Sequence, residues 1–132
     1  MRRVARRRFS IVVPIPSYAR PRNEWRRRVH SAVLEAQTRR GVGYRDADRL
    51  EVRLSLDLGD RALEIDEIDE RLSDVLDALA GRIAGPRSRR RIAPIVPSAD
   101  QIRRVIVEKS AGRRRRGMLG TLAISRHHAR RA

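Results

Sequence analysis

The stretch EIDERLSDVLDAL (residues 67–79) is the most informative part of this sequence. Its apolar residues recur at steps of three and four, and with Ile65 and Ile83 they form one stripe along a helix. Polar residues occupy a separate arc, which consists of Asp66, Glu70, Ser73 and Asp77. The pattern predicts an amphipathic helix from about Asp66 to Ala80, ended by Gly81 and the Gly85-Pro86 pair.

Strands are predicted on both sides of this helix. Before it, the leucines and valine of residues 50–56 alternate with polar side chains, as in a half-buried strand. Phe9 to Val13 is a short β-branched run that we expect Pro14 to end. After the helix, Ile102 to Glu108 and Met118 to Ile124 have the composition of two further strands.

A second helix is predicted near the amino terminus. Asn23 is placed to cap it, and Gly41 with Gly43 closes it. Its apolar positions are Trp25, Val29, Ala32, Val33 and Ala36. The resulting order, β-α-β-α-β-β, predicts an α/β (α+β) fold with a small mixed four-stranded sheet and two packed helices.

The chain length fits a single domain. We assign residues 9–125 to it, residues 1–8 to a basic amino-terminal arm and residues 126–132 to a basic carboxyl-terminal tail. The arm is not followed by a long apolar run, so we do not interpret it as a secretion signal. No apolar run approaches the length that crosses a bilayer, so we expect no membrane partner.

Charge is the dominant feature of the composition. Lysine and arginine number 32 against 16 acids, for a net charge of +16 and a pI near 11.8. Such a chain has a polyanion as its expected partner, and we expect that polyanion to be nucleic acid. Aromatic residues make up only 3%, which argues against recognition of single strands by base stacking. The absence of cysteine excludes disulfides, cysteine nucleophiles and thiolate zinc sites.

The basic residues fall into clusters suited to phosphate contacts. All but Lys109 are arginines, whose planar guanidinium groups bind phosphate in a bidentate manner. The positions that we predict to bind nucleic acid are Arg20, Arg22, Arg26, Arg27, Arg89, Arg90, Arg91, Lys109, Arg113, Arg114, Arg115 and Arg116.

Most of the carboxylates, in contrast, lie between Asp46 and Asp77. Glu67 and Asp69 flank Ile68, and residues two apart point the same way in an extended or just-turning backbone, so both carboxylates would reach one ion. Mg²⁺ favours such hard oxygen ligands. The alternative is structural: acids in a first turn stabilise a helix through its dipole, and Asp69 would be a cap. Asp100, just before the third strand, is either a ligand or a turn residue.

The order of these motifs resembles the RusA-type Holliday junction resolvases. An acidic helix start leads into Asp77-Ala78-Leu79, and Asp100-Gln101-Ile102 opens a strand that ends in Val107-Glu108-Lys109. Residues 9–17, with their proline loop, and the helix segment Trp25 to Val29 are also similar to that family. The resemblance implies a small α/β homodimer that binds four-way DNA and cuts it symmetrically with Mg²⁺ held by acidic residues.

The resemblance also assigns roles to individual positions. It places the family's acids on Glu67 and Asp69, as metal ligands with Asp100, and adds Asp77 to the catalytic set. The sequence departs from the family at Ser73, where a lysine is expected, and at Ser98 and Ala99, where an acidic pair is expected with Asp100 one place late. Arg71 and Lys109 are candidates to replace the lysine.

From these observations we hypothesise a Mg²⁺-dependent, structure-selective endodeoxyribonuclease that cuts branched DNA in recombination and repair, as a homodimer in the cytoplasm at the nucleoid. Three alternatives stay open. The protein is a catalytically inactive relative that binds branched or duplex DNA, an RNA-associated basic structural protein, or an assembly protein in which the acidic patch of one copy docks on the basic surface of another.

Overall fold

The structure is a computed structural model that describes residues 8–57, 65–83, 92–110 and 117–128. Its elements in chain order are β1 (Ile11–Pro16), α1 (Arg22–Arg40), β2 (Leu50–Asp57), α2 (Ile65–Leu79), a 3-10 turn (Ala99–Gln101), β3 (Ile102–Ser110) and β4 (Met118–Arg126). The predicted order and the predicted fold class, a small mixed four-stranded sheet with two helices, are confirmed.

The four strands are arranged in the order β1-β4-β2-β3. Strand β4 is antiparallel to both of its neighbours, and β3 is parallel to β2. Strands β1, β2 and β3 therefore run in one direction. We call the side where these three strands finish and β4 begins the carboxyl end of the sheet, and the opposite side the amino end. Helices α1 and α2 follow β1 and β2, so both begin at the carboxyl end.

The alternation predicted for β2 is confirmed. Leu50, Val52, Leu54 and Leu56 are buried, whereas Arg53 between them is exposed. These side chains face the two helices, and the core that they form contains residues from both. The helical contribution comes from Trp25, Val29, Val33, Val75, Ala78 and Leu79. Neither described helix covers the other face of the sheet, so the described part of the chain has two layers.

Strand β1 differs from the prediction at its end. It continues through Pro14 to Pro16, so the expectation that Pro14 ends it is wrong. Proline lacks a backbone donor and is tolerated on an edge strand whose free side has no ladder to complete. Strand β1 is such an edge, because β4 is its only partner in the described sheet.

The helix boundaries follow backbone chemistry. Helix α1 begins at Arg22, after Pro21, with no side-chain cap, so the prediction of Asn23 as the cap is wrong. Gly41 closes α1 in the left-handed conformation, at φ 67°. Beyond α2, Gly81 has φ 77°, and a Cβ atom there would lie 2.2 Å from the carbonyl oxygen of Ile92. Both features make glycine necessary at position 81.

Neither helix in the described part of the chain is long and apolar enough to span a membrane. Residues 1–7 of the predicted arm and residues 129–132 of the predicted tail lie outside the described residues. Residues 84–91 and 111–116, which contain the arginine clusters predicted in loops, also lie outside the described residues.

Candidate functional site

The centre of the charged region is Asp74, a residue that the sequence analysis did not single out. Its side chain is fully buried between α1 and α2. Arg22 and Arg26 of α1 both donate from Nε to Asp74 Oδ1, Arg26 at 2.9 Å. Nη2 of Arg71, one turn earlier on α2, lies 3.3 Å from Oδ2. A single carboxylate thus gathers three guanidinium groups from two helices.

The network extends outward from Asp74. Nη2 of Arg26 contacts Asp77 Oδ2 at 3.0 Å, and Nη2 of Arg71 contacts Glu70 Oε2 at 3.3 Å. The hydrogen bond to Asp74 is the largest cause that raises the pKa of Arg22 above its ordinary value. That arginine therefore carries its positive charge at every pH at which the protein would be assayed.

An aromatic pair supports the same region. The guanidinium carbon of Arg71 lies 3.4 Å from the centre of the Tyr18 ring and 5.6 Å from that of Trp25. The two rings meet edge to face, with centroids 5.5 Å apart. Trp25 also donates from its indole nitrogen to Pro16 O, 3.1 Å away. Tyr18 thus links the loop after β1 to the middle of α2 by a cation–π contact.

The charges within this network balance, because its three arginines face three carboxylates. The main effect of the network is therefore to fix α1 against α2. Arg26 contributes to this packing, because only 15% of its side chain is exposed. Arg22 is different: 45% of its side chain is exposed, so it faces solvent while Asp74 holds its Nε atom.

Three further arginines lie around Arg22 and Arg26. Arg20, Arg27 and Arg28 are exposed, and none of them makes an ion pair with a carboxylate among the described residues. They lie just before α1 and in its first two turns, where the uncapped backbone donors of the helix add positive potential. The beginning of α1 therefore carries an excess of positive charge.

The topology places other basic positions at the same end of the sheet. Lys109, exposed, lies near the end of β3 and pairs with Leu56 near the end of β2. The backbone N–H of Ser17 donates to the carbonyl of Gly117, 3.0 Å away, and Gly117 follows Arg116 in the chain. The carboxyl end thus joins Lys109, the loop before α1 and the start of β4.

The predicted metal ligands do not point to a common centre. Helix α2 begins at Ile65, so Glu67 and Asp69 are both helical, and the expectation of an extended or just-turning backbone there is wrong. At 3.6 residues per turn they project about 160° apart. Asp69 is also too far inside the helix to cap it. Glu67 instead shares a face of α2 with Asp74, seven residues later.

Asp77 and Asp100 are separated from that helix start. Asp77 is ion-paired with Arg26, and Asp100 is exposed in the 3-10 turn at the amino end of the sheet. The segment before this turn bonds to the last turn of α2, through Ile95 and Val96 N–H groups on Leu79 O. Glu67 lies about 18 Å along the helix axis from Leu79. One ion would not contact Glu67, Asp69 and Asp100 together.

The rest of the described structure agrees with this geometry. Across residues 8–57, 65–83, 92–110 and 117–128, the acidic and histidine side chains nowhere form a group of three or more suited to a metal ion. The residues present therefore do not fit the predicted three-carboxylate Mg²⁺ site. Asp100 fits the turn interpretation: its N–H faces Ser98 Oγ, and Gln101 completes a capping box with Ser98.

Of the predicted nucleic-acid contacts, Arg20, Arg22, Arg26, Arg27 and Lys109 are described. Arg89, Arg90, Arg91 and Arg113 to Arg116 lie outside the described residues. Asp74, Tyr18 and Arg28 are the site residues that the sequence analysis missed. A signal for Asp74 was present, because Arg22 and Arg26 are in helical phase with the buried Val29 and Val33. Arginines on a buried stripe require a carboxylate opposite.

A scan of the chain against protein-family models and a search of curated proteins gave no match, so the RusA resemblance stays a hypothesis carried by the motifs alone.

Proposed function

We propose that this protein binds the phosphate backbone of nucleic acid through the carboxyl end of its sheet, with branched or duplex DNA as its target. The observation that supports this proposal is the set of exposed arginines at the start of α1, Arg20, Arg22, Arg27 and Arg28, of which only Arg22 has a carboxylate partner among the described residues. Arg22, Arg27 and Arg28 lie on a helix that Asp74 fixes in place, and Arg20 lies just before it.

Rigidity strengthens this argument. A guanidinium group on a mobile segment loses side-chain and backbone entropy when it binds a phosphate. Here Asp74 holds Arg22 directly and, through Arg26, fixes the helix that carries Arg27 and Arg28. Phosphate contacts from a fixed helix set the orientation of a nucleic acid, but they carry little sequence information. We therefore expect recognition of shape and charge.

Duplex or branched DNA is favoured over single strands. Binding of single strands relies on aromatic rings that stack with bases. The aromatic residues of the carboxyl end are already engaged: Trp25 is buried, and Tyr18 is covered by Arg71. A location at the nucleoid follows from this choice of target.

The test is a binding titration with labelled four-way DNA, duplex DNA, single-stranded DNA and structured RNA at several salt concentrations. Replacing Arg20, Arg27 and Arg28 by alanine should weaken DNA binding and make the slope of log K against log salt shallower by about 2 to 3, since each lost phosphate contact removes about 0.9. Tighter binding of structured RNA than of both DNA forms would favour the RNA-associated alternative.

The matched control replaces Arg39, Arg40 and Arg45, which removes the same charge at the other end of α1 and beyond it. Arg39 is already paired with Glu35, at 2.7 Å. If binding used net charge alone, the two triple variants would lose the same affinity. Equal losses would therefore contradict a site at the carboxyl end.

Endonuclease activity is the second candidate function. It is motivated by the position of Glu67 and Asp69 in the first two turns of α2, at the same end of the sheet as the exposed arginines, although the two carboxylates do not converge on one ion. The assay is cleavage of a synthetic four-way junction with and without Mg²⁺, comparing the unaltered protein with Asp69→Asn and Glu67→Gln. Magnesium-dependent nicking that both substitutions abolish would support this candidate, and binding without nicking would support the inactive relative.

We also propose that the protein acts as a homodimer, since a two-fold dimer presents two equivalent surfaces to a four-way junction of approximate two-fold symmetry. An alternative assembly, in which the acidic patch of one copy docks on the basic surface of another, predicts association that is lost at high salt. Measuring molar mass by light scattering at low and high salt separates the two.

A further inference from the structure

The two edge strands of the sheet differ in how they are protected. Strand β1 contains Pro14 and Pro16, which cannot donate a backbone hydrogen bond to an added strand. Strand β3 forms the other edge and runs for nine residues, Ile102–Ser110, without proline. Among the described strands, only β2 pairs with it. Within the described residues, the fold thus blocks one edge and leaves the other open to pairing.

The side chains of β3 are apolar at its centre and charged towards both ends. Val105, Ile106 and Val107 form the centre, and Val105 is 40% exposed, which is unusual for a residue on the helix-covered face. A groove of about 250 Å³ lies beside it between β3 and α2. Its lining is mostly aliphatic, including Leu76, Leu79, Ile102 and Val105.

We infer that the outer edge of β3 pairs antiparallel with β3 of a second copy, about a two-fold axis at Ile106, to form a continuous eight-stranded sheet. This inference specifies the interface of the homodimer proposed above, and it does not depend on nucleic-acid binding. In this register Val105 of each copy lies opposite Val107 of the other, which places the apolar centres together.

Charge complementarity selects this register. It places Arg104 opposite Glu108 of the other copy, twice by symmetry. On the open face Arg104 already lies 3.4 Å from Glu51, and Glu108 lies 3.9 Å from Arg53, so a row of alternating charge would continue across the axis. Shifting the register by two residues in either direction places these charged groups opposite Ile102, Ile106 or Ser110 instead.

One pair opposes this register: Arg103 would lie near Lys109 of the other copy. Arg103 is the residue at which the β2–β3 ladder slips, since Leu50 pairs with Ile102 and Glu51 with Arg104. A bulged residue leaves the regular pairing, so the like charges need not approach closely. The two-fold axis also puts both helix layers on one side of the sheet, where the two aliphatic grooves become neighbours.

The dimer also positions the proposed nucleic-acid surfaces. Because the paired strands run in opposite directions, the carboxyl ends of the two copies face opposite ways. Lys109 of one copy lies beside Arg103 of the other, so the two Lys109 residues are separated along the strands by about 20 Å, at 3.3 Å per residue. The two basic surfaces are thus equivalent but not contiguous.

A single cysteine tests this inference directly, because the natural chain has no cysteine. In the proposed register position 106 faces itself, with Cα atoms about 4.5 to 5.5 Å apart, a separation that a disulfide spans. Mild oxidation should therefore convert most of an Ile106→Cys variant into a covalent dimer. The control is Val12→Cys on β1, where the side chain is more exposed, at 61%, but the edge is blocked by proline.

Cross-linking of Ile106→Cys without cross-linking of Val12→Cys would support the β3 interface. Cross-linking of both to the same extent, or of neither, would overturn it. A second variant, Ile106→Lys, puts two like charges at the axis and should raise the dimer dissociation constant by more than about tenfold, or 1.4 kcal/mol. Circular dichroism confirms that this variant is folded, and an unchanged dissociation constant for the folded variant would also overturn the interface.

Failure of this inference is distinguishable from failure of the proposed function. A protein that is dimeric but does not cross-link at position 106 has its interface elsewhere, which overturns the inference alone. A protein that is monomeric at every concentration overturns both the homodimer and its interface. The DNA titration is read separately and does not change with either result.

Discussion

Helices α1 and α2 carry opposite charge and use it differently. Helix α1 is arginine-rich, with Glu24 and Glu35 as its acids, whereas α2 is acidic, with Arg71 as its one base. Where the helices meet, Asp74 and Asp77 bind Arg22 and Arg26. Away from this contact, α1 exposes Arg27 and Arg28, and α2 exposes Asp69.

The difference shows that a residue's position around its helix decides whether its charge is structural or available. Arg26 and Arg27 are adjacent in sequence, but about 100° of helix rotation separates them. The first is largely buried on Asp74, and the second is exposed. The acids of α2 differ in the same way: Asp74 is buried at this contact, whereas Asp69 is exposed. A cluster of like charges in a sequence can therefore contain both structural charges and charges that are available for binding.

Asp74→Ala should destabilise the protein more than any other single substitution considered for these two helices. It leaves Arg22, Arg26 and Arg71 without their shared carboxylate, and removing one partner of a buried ion pair costs about 3 to 5 kcal/mol. We expect a loss of this size in the free energy of unfolding, measured in urea. The control is Asp69→Ala on the exposed side of α2, which should change it by less than about 1 kcal/mol. Equal losses would contradict the structural role of Asp74.

Tyr18→Ala should have a smaller effect. It removes the ring under Arg71 and the edge-to-face contact with Trp25, which are worth about 0.5 to 2 and 0.5 to 1.5 kcal/mol respectively, together with buried apolar area. Tyr18→Phe keeps the ring and should recover most of the loss. If the phenylalanine variant were as unstable as the alanine variant, the contribution of the cation–π contact would be refuted.

Glu35→Ala should have the smallest effect. Glu35 and Arg39 form an exposed pair one turn apart on α1, at 2.7 Å, with side chains 70% and 73% exposed. Such pairs stabilise a helix by about 0.3 to 0.5 kcal/mol, screened by salt. Thermal unfolding of this variant should nearly coincide with that of the unaltered protein at high salt. A loss that persists there would show that exposed charge on α1 is also structural.

Local pattern was sufficient for most of the secondary structure. The alternation of β2 and the 3.6-residue period of α2 each reflect a buried face that the sequence displays directly. Predictions failed where a single residue was read without its neighbours in space. Pro14 does not end β1, because an edge strand tolerates it, and Asn23 is not a cap, because α1 starts one residue before it.

The candidate site was predictable only in part. Its basic character, including Arg20, Arg22 and Arg27, followed from the sequence because charge is a property of composition. The sequence could not show whether Glu67, Asp69 and Asp100 converge. Their positions depend on the phase of α2 and on the path of the chain from α2 to β3, and both of these keep the three residues apart. The importance of Asp74 likewise depends on α1 packing beside it.

The order of the elements, the buried side of β2 and the excess of arginine could be predicted from the amino-acid sequence alone, because periodicity and charge are local and additive. The position of β4 between β1 and β2, the place of β3 at an edge of the described sheet and the choice of arginines bound to Asp74 became visible only in the folded chain. These properties depend on contacts between residues about 50 positions apart, such as Arg22 and Asp74, and no local pattern specifies them.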